Sequence, residues 1–267
     1  MGRPAPNFKT DAGTSFGMKR SRKAGLLDAV RAFSVMSGGP ALLAIYSALS
    51  LVMVGRRLAG PSPRNRSIPG LRLLQTFGAL LPFVYALAVR PWHLRWGAPA
   101  EETVKRLPGD ELVPNPGFEC TRAVTVEAPV AAVWPWLAQI GQDGGGFYSY
   151  EWLENLAGCN MRNADRIHPE WQERNIGDTV LLHPANGLKL AVFEPPRAFV
   201  MEGSSGFVLE PIDERRTRLI ARSRTPRGLP ALAYAVFVEI PHFIMERKML
   251  LGIKQRAEAL AGGRGEH

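Results

Sequence analysis

Residues 119–158 read ECTRAVTVEAPVAAVWPWLAQIGQDGGGFYSYEWLENLAG, and this stretch decides the fold. Its first part has the period-two alternation of a β-strand, with one face formed by Cys120, Arg122, Val124 and Val126. Pro129 cannot continue a β-ladder but suits the first turn of a helix. The apolar face of that helix is formed by Val130, Val133, Trp134, Leu137 and Ile140. The stretch therefore predicts a strand followed by an amphipathic helix that ends at Gly141.

The remainder of the chain predicts a sheet and a closing helix. A glycine turn at residues 144–146 precedes a second short helix at residues 150–156. Strands are predicted at residues 179–182, 188–193, 198–202, 206–210 and 217–225. The pattern then becomes helical from about Leu229 to Leu260, with an interruption at Pro241. The last strand predicts a solvent-exposed arginine face formed by Arg216, Arg218, Arg222 and Arg224.

This order of elements resembles the START-like, or SRPBCC, superfamily, which includes polyketide cyclase/dehydrase-like proteins. The strand–Ala-Pro–helix opening, TVEAP followed by VWPWL, carries part of the resemblance. The other residues that carry it are 145–155, 164–167, 177–178 and 245–249. The tryptophan and glycine-rich elements are similar to a bacterial subgroup of uncharacterised members. The resemblance covers about residues 97–261.

The resemblance implies an α+β helix-grip fold, in which an antiparallel curved sheet surrounds a long C-terminal helix and leaves an apolar cavity between them. Family members include lipid-transfer proteins, polyketide cyclases and aromatases, and small-molecule receptors. Because catalytic residues differ between these branches, the resemblance transfers none to this chain. Most members also lack the membrane segment that precedes the domain here.

The first third of the chain predicts that membrane segment. Residues 1–95 carry 14 Lys/Arg against 2 Asp/Glu, whereas residues 96–267 carry 19 against 22. Basic residues that flank apolar runs are typical of a membrane surface, and the absence of a basic excess on the folded domain argues against nucleic-acid binding. The apolar runs at about 33–54 and 73–89 predict one or two transmembrane helices. Tryptophans 92 and 96 resemble an interfacial aromatic belt.

The chain is thus predicted to contain five segments. They are a basic N-terminus at 1–32, a membrane anchor at 33–96, a linker at 97–117, a START-like domain at 118–261 and a tail at 262–267. The basic N-terminus favours a hairpin with both ends in the cytoplasm, which places the START-like domain there. If only the second apolar run spans the membrane, the domain is exported, and that alternative stays open.

The two cysteines, Cys120 and Cys159, lie in unrelated contexts and are predicted to be reduced thiols. One disulfide between them remains an alternative. No cluster of Cys and His has the spacing of a zinc site, so neither a metal nor a cofactor is predicted. The sequence makes no prediction of the oligomeric state.

Candidate ligand-binding residues are aromatic, polar and apolar side chains expected near the cavity. They are Trp134, Phe147, Tyr148, Tyr150, Trp152, Arg166, Trp171, Leu219, Ala221, His242, Met245 and Met249. The aromatic rings combine stacking with a polar handle, and core packing is the alternative explanation for them. His242 and Glu246 share a helical face, which predicts an intrahelical pair because a metal would need a third ligand.

The candidate catalytic residues are Asp165, His168 and Glu170. A carboxylate and an imidazole near one cavity could perform acid–base chemistry, whereas a loop clamp is the structural alternative.

Three functional hypotheses follow. The first is a membrane-tethered START-like domain that binds a hydrophobic small molecule or lipid. The second is a cyclase- or dehydrase-type enzyme that acts on a polyketide-like substrate. The third is an interaction module whose cavity is filled by side chains. A void between the sheet and the terminal helix would argue against the third hypothesis.

Overall fold

The computed structural model describes residue 42 and residues 45–56, 58–60, 69–203 and 205–263. The predicted basic N-terminus and the first part of the first apolar run lie outside the described residues, as does most of the tail.

The described chain forms an α+β fold with a six-stranded antiparallel sheet. The strands are β1 (Pro116–Val126), β2 (Thr179–His183), β3 (Asn186–Glu194), β4 (Ala198–Met201), β5 (Ser205–Pro211) and β6 (Thr217–Pro226). Their spatial order is β1-β6-β5-β4-β3-β2, so the first strand pairs with the last, and all other neighbours are consecutive. The α+β class and the predicted strands are therefore confirmed.

Six α-helices accompany the sheet within the residues that the structure describes. They are α1 (Ile45–Arg56), α2 (Pro69–Leu94), α3 (Ala100–Val104), α4 (Val130–Ala138), α5 (Glu151–Leu156) and α6 (Leu229–Gly262). The second half of α6 packs on the inner face of the sheet, where Leu250, Ile253 and Ala257 are fully buried. Gly252 lets α6 pack closely against the backbone at Tyr148, because a Cβ at position 252 would collide with the Tyr148 carbonyl oxygen. The long terminal helix of the predicted fold is confirmed.

Pro241 does not end the terminal helix. The helix continues from Leu229 to Gly262 and contains a π-helical turn at Tyr234–Val238, before the proline. Proline removes one backbone donor and crowds the preceding turn, and a π-turn widens the helix at such a point. The α2 helix has the same feature, with a π-turn at Tyr85–Val89 before Pro91. The interruption predicted at Pro241 is thus a local widening rather than a break.

The outer face of the sheet is covered by residues 97–113. Arg222 is only 6% exposed and donates to the Asp110 carboxylate at 2.8 Å and to the Lys105 carbonyl at 2.6 Å. Arg218 donates to both carboxylate oxygens of Glu102, at 2.6 and 2.9 Å. The prediction of a solvent-exposed arginine face is therefore wrong for the central positions, because an acidic segment that precedes the sheet in sequence lies over them.

Helices α1 and α2 form a hairpin whose interface is polar and whose outside is apolar. Tyr46 donates to the Leu74 carbonyl at 2.6 Å, and Gln75 lies 3.0 Å from the Met53 sulfur. The buried interface consists mainly of small or polar residues, namely Ser47, Ser50, Gln75, Gly78 and Ala79. The exposed side consists of large apolar residues, namely Leu73, Phe77, Leu80, Phe83 and Leu87. Small and polar interfaces with apolar outer surfaces are typical of helices packed in lipid.

Two described helices, α2 and α6, are long and apolar enough to cross a membrane by length and composition. The second half of α6 packs against the sheet, so only its N-terminal half presents exposed apolar side chains. These are Leu229, Leu232, Val236 and Ile244.

Candidate functional site

A cavity of about 300 Å³ lies between the inner face of the sheet and the terminal helix. Its wall is mostly apolar and is formed by Phe147, Leu182, Leu188, Met201, Phe207, Val238, Met245 and Met249. Its polar lining is formed by Ser149, Glu154, Tyr234, His242 and Glu246. An apolar space with few polar groups is the usual composition of a small-molecule site.

Glu246 connects the cavity wall to a buried arginine behind it. Its carboxylate pairs with the guanidinium of Arg122, and both side chains are almost fully buried. Arg122 also donates through Nε to the His93 carbonyl at 2.8 Å. Burial alone would lower the pKa of Arg122, but the Glu246 carboxylate raises it above its ordinary value. The arginine therefore stays charged and neutralises Glu246.

The polar end of the cavity contains a chain of side-chain contacts. The Tyr234 hydroxyl lies 2.7 Å from His242 Nδ1, and His242 Nε2 lies 3.5 Å from Glu246 Oε1. Arg122 Nη1 lies 3.3 Å from the same Nδ1 atom. These contacts connect a phenol, an imidazole and a carboxylate within one wall of the cavity.

A second carboxyl group, that of Glu154, enters the cavity from α5. The residue is 7% exposed, and its Oε2 atom is buried without a hydrogen-bond partner among the described residues. Burial, together with the nearby Glu151 carboxylate, raises the pKa of Glu154 to about 7. A buried acid without a cationic partner keeps its proton to higher pH, because burial disfavours the charged form.

The ligand atoms of Cys120, His242 and Glu246 all lie within 4.8 Å of one another, so the structure provides a third potential ligand beside the predicted pair. Burial, followed by the Glu246 charge, raises the pKa of Cys120 to about 12, which keeps the thiol protonated. The Arg122 guanidinium already pairs with the shared carboxylate and would repel an added cation. These three residues therefore fit a metal ion poorly.

Side chains of helix α6 contact side chains of α2 next to the cavity. The buried Glu239 carboxylate receives hydrogen bonds from Arg90 Nε at 2.9 Å and from the Tyr85 hydroxyl at 2.6 Å. The rings of Trp92 and Phe243 meet edge to face, with centroids 5.4 Å apart. Because Val238 and His242 line the cavity, the apolar helix α2 contacts the same part of α6 that forms the cavity wall.

Four of the predicted ligand-binding residues line the cavity, namely Phe147, His242, Met245 and Met249. Four others are core residues, namely Trp134, Tyr148, Leu219 and Ala221. Tyr148, for example, donates to the Trp136 carbonyl at 3.0 Å. Tyr150 lies under the Lys248 ammonium, 5.8 Å from the ring centre, and Trp152 is 67% exposed. Neither of these two residues is part of the cavity wall.

Arg166, Trp171, Asp165 and His168 line a separate, polar surface depression of about 570 Å³. The His168 ring stacks on Trp171 with centroids 4.1 Å apart, and its Nδ1 lies 3.1 Å from the Glu170 carboxylate. The buried Gln139 side chain accepts a hydrogen bond from the His168 backbone and holds this loop. The structure thus brings the predicted catalytic candidates together, but outside the apolar cavity.

Sequence reasoning missed Arg122, Ser149, Glu154 and Tyr234 as site residues. A charged residue at an inward position of β1 was an available signal for Arg122, because an isolated buried arginine requires a partner. The sequence offers no comparable signal for Glu154, which lies among other polar residues of a short helix.

Comparisons with known proteins give a limited result. No protein-family model matches the chain, and no curated protein matches it. A search of solved structures finds similarity to the solution NMR structure of a Polyketide_cyc-like protein from Corynebacterium glutamicum. That similarity has a TM-score of 0.27 and 14% sequence identity, and it covers 55% of this chain and 91% of the other.

Proposed function

We propose that this protein binds a hydrophobic small molecule or lipid in the cavity between the sheet and α6, while its N-terminal helices hold it in a membrane. The observation that carries the proposal is the apolar cavity of about 300 Å³ with a small polar end. An open cavity of this composition argues against a module whose interior is filled by side chains.

The membrane part of the proposal rests on the outward-facing side chains of α2. Leu73 is 74% exposed and Leu87 is 79% exposed, although both lie in a helix whose buried polar residue, Gln75, faces the partner helix. In water such a surface would be costly, whereas in lipid it is the expected arrangement. Since α2 contacts α6 beside the cavity, an apolar ligand would have a short path from the bilayer to the cavity.

Photolabelling of the full chain in lipid nanodiscs tests the proposal. An uncharged alkyl diazirine dissolved in the bilayer is activated by light, and the labelled peptides are identified by mass spectrometry. We expect labels on two groups of peptides, those from the exposed face of α2 and those that contain the cavity residues Phe207, Met245 and Met249. The variant Leu188→Trp fills the cavity and should remove only the second group.

The matched control is Ile176→Trp, which places the same bulky ring at a position that is 70% exposed. This variant should keep both groups of labels. Labels confined to α2 in the unmodified chain would contradict ligand entry into the cavity. Absence of labels on α2 would contradict the membrane anchor.

A second candidate function is a cyclase- or dehydrase-type enzyme. The cavity-facing contact between Tyr234 and His242 favours it, because a phenol and an imidazole at hydrogen-bond distance can move a proton. Turnover of a polyketide-like substrate that is lost in both Tyr234→Phe and His242→Gln, with ligand binding retained, would select the enzyme. Binding without turnover would select the carrier or receptor.

A further inference from the structure

Glu154 differs from the other acidic group of the cavity in having no charge partner. Glu246 is neutralised by Arg122, whereas Glu154 makes no ion pair with any described residue. The residue is only 7% exposed, lines the apolar wall and has a buried oxygen without a hydrogen-bond partner in the described chain. A buried polar atom without a partner is costly unless a ligand satisfies it.

We propose that Glu154 is a ligand-binding residue that donates a hydrogen bond from its protonated carboxyl group to an uncharged oxygen of an apolar ligand. The inference rests on the proposed function and gives it a substrate class: long-chain alcohols, ketones or esters rather than fatty acids or amines. The neighbouring residue Ser149 cannot take this role as readily, because its hydroxyl already donates to the Met245 carbonyl at 3.0 Å.

The charges around the cavity explain why an anionic ligand would be rejected. Arg122, behind the wall, neutralises Glu246, and the described wall itself contains no lysine or arginine. A ligand carboxylate would therefore lose its hydration without gaining a cation, which is strongly unfavourable in an apolar cavity. An uncharged ligand oxygen that accepts one hydrogen bond loses far less hydration free energy.

A cationic ligand would require Glu154 to ionise. Both charges would then leave water, and their attraction offsets that desolvation only with good geometry and further hydrogen bonds. The pKa of about 7 for Glu154 supports the neutral form in the empty cavity, because burial and the Glu151 carboxylate both disfavour its charge. The uncharged ligand therefore fits the free protein without a change of protonation.

The groups that face Glu154 come from several elements. Glu151 lies on the same helix and Cys159 follows it in the chain, and each interacts electrostatically with Glu154. Tyr234, His242 and Glu246, from α6, line the same cavity. All five groups are retained in a Glu154→Gln variant, so a difference between that variant and the unmodified protein reports Glu154 alone.

The test uses the full chain in phosphatidylcholine nanodiscs and native mass spectrometry. The probes are octanol, dodecanol and hexadecanol, the carboxylates of the same chain lengths and the corresponding primary amines. The variants are Glu154→Leu, which removes the donor while keeping a similar volume, and Glu154→Gln, which keeps an N–H donor. Glu202→Gln is the control, because Glu202 is exposed and lies outside the cavity wall.

The measured quantity is the ratio of occupancy in the unmodified chain to that in Glu154→Leu, which cancels the different partitioning of the probes into lipid. For the alcohols we expect a ratio of about fivefold, which corresponds to one hydrogen bond of about 1 kcal/mol. Glu154→Gln and Glu202→Gln should bind the alcohols as the unmodified chain does. A ketone probe, 2-dodecanone, can only accept a hydrogen bond, so its occupancy should fall as the pH rises above about 7 in the unmodified chain, but not in Glu154→Gln.

Three results would overturn the inference while leaving the proposed function intact. They are equal alcohol binding in Glu154→Leu, a preference for carboxylates, and a preference for amines that disappears in Glu154→Gln. If none of the alcohols, carboxylates and amines occupies the cavity at any chain length, both the inference and the proposed function fail.

Discussion

On the inner face of the sheet one arginine, Arg122, lies among apolar side chains, whereas on the outer face Arg218, Arg222 and Arg224 lie side by side. Each outer arginine is bound by carboxylates or backbone carbonyls of the segment 97–113. Arg224 also pairs with Glu119 of the neighbouring strand β1. The inner arginine has one carboxylate partner, Glu246, and its Nη2 atom is buried without a hydrogen-bond partner among the described residues.

The difference shows two uses of the same residue type. On the outer face, arginine attaches a polar covering segment to the sheet, so these charges serve the structure. On the inner face, Arg122 pairs with Glu246 beside an open cavity. The second acid of the cavity, Glu154, has no cationic partner among the described residues. Buried groups that lack hydrogen-bond partners are expected where a ligand binds, and two of those in the described chain, Arg122 Nη2 and Glu154 Oε2, lie on the inner side.

The largest effect is expected when the inner pair is broken. Arg122→Leu leaves Glu246 buried without a counter-charge and should lower the free energy of unfolding by about 3–5 kcal/mol. The double variant Arg122→Leu/Glu246→Leu removes both charges and should recover most of this loss. Urea unfolding of the full chain in detergent measures both values. A double variant that is as unstable as the single one would show that the charges do not interact as described.

The next effect concerns Glu154 and depends on pH. The folded protein holds this proton up to about pH 7, whereas a carboxyl with the ordinary value of 4.5 has already lost it. The unfolded state therefore binds fewer protons in this range, and stability falls as the pH rises. Above about pH 7, Glu154→Gln should be more stable than the unmodified chain by roughly 3 kcal/mol.

The same pair of proteins should have equal stability below about pH 4. Unfolding measured from acidic to mildly alkaline pH gives the curve, and Glu202→Gln serves as the exposed control. A stability difference that does not change with pH would contradict the buried, neutral state of Glu154.

A smaller effect is expected on the outer face. Asp110→Asn keeps a hydrogen-bond acceptor but removes the charge shared by Arg222 and Arg224, and it should cost about 1–3 kcal/mol. Because residues 97–113 cover the sheet without forming it, the loss should appear first as faster amide exchange in that segment. Uniformly faster exchange through β5 and β6 would show that the segment is part of the central core.

The smallest effect is expected for Arg216, which directly precedes the same strand and pairs with Asp213 where both side chains are nearly half exposed. Arg216→Ala should leave the unfolding midpoint unchanged within error, because exposed ion pairs are weak. A loss comparable to that of Asp110→Asn would contradict the contrast between covered and exposed arginines.

The sequence predicted the helices and strands better than the segment that covers the outer face of the sheet. The alternation in β1, the proline at position 129 and the long helical pattern after Leu229 are local signals, and they were sufficient to predict the succession of elements in an α+β fold with a closing helix. The covering of Arg222 was not predicted, because its partner Asp110 lies in a proline-rich, charged segment whose local pattern is that of a linker.

Side-chain type and helical face were sufficient to anticipate which residues of α6 line the cavity, whereas their role in binding stays a prediction. Met245, Met249 and His242 share a face of α6, and they line the cavity. Tyr148 and Ala221 have similar character but are core residues, since their surroundings depend on contacts between distant segments. Glu154 was missed for the same reason, because its burial is produced by tertiary packing around a six-residue helix.

The most direct test of the central claim is native mass spectrometry of the full chain purified from its host in mild detergent. We predict a bound apolar molecule at a ratio of one per chain, retained in Ile176→Trp and lost in Leu188→Trp, and its mass would identify the ligand. If the unmodified chain and both variants show only the mass of the protein alone, and none takes up a molecule from host lipid extract, ligand binding in the cavity would be contradicted.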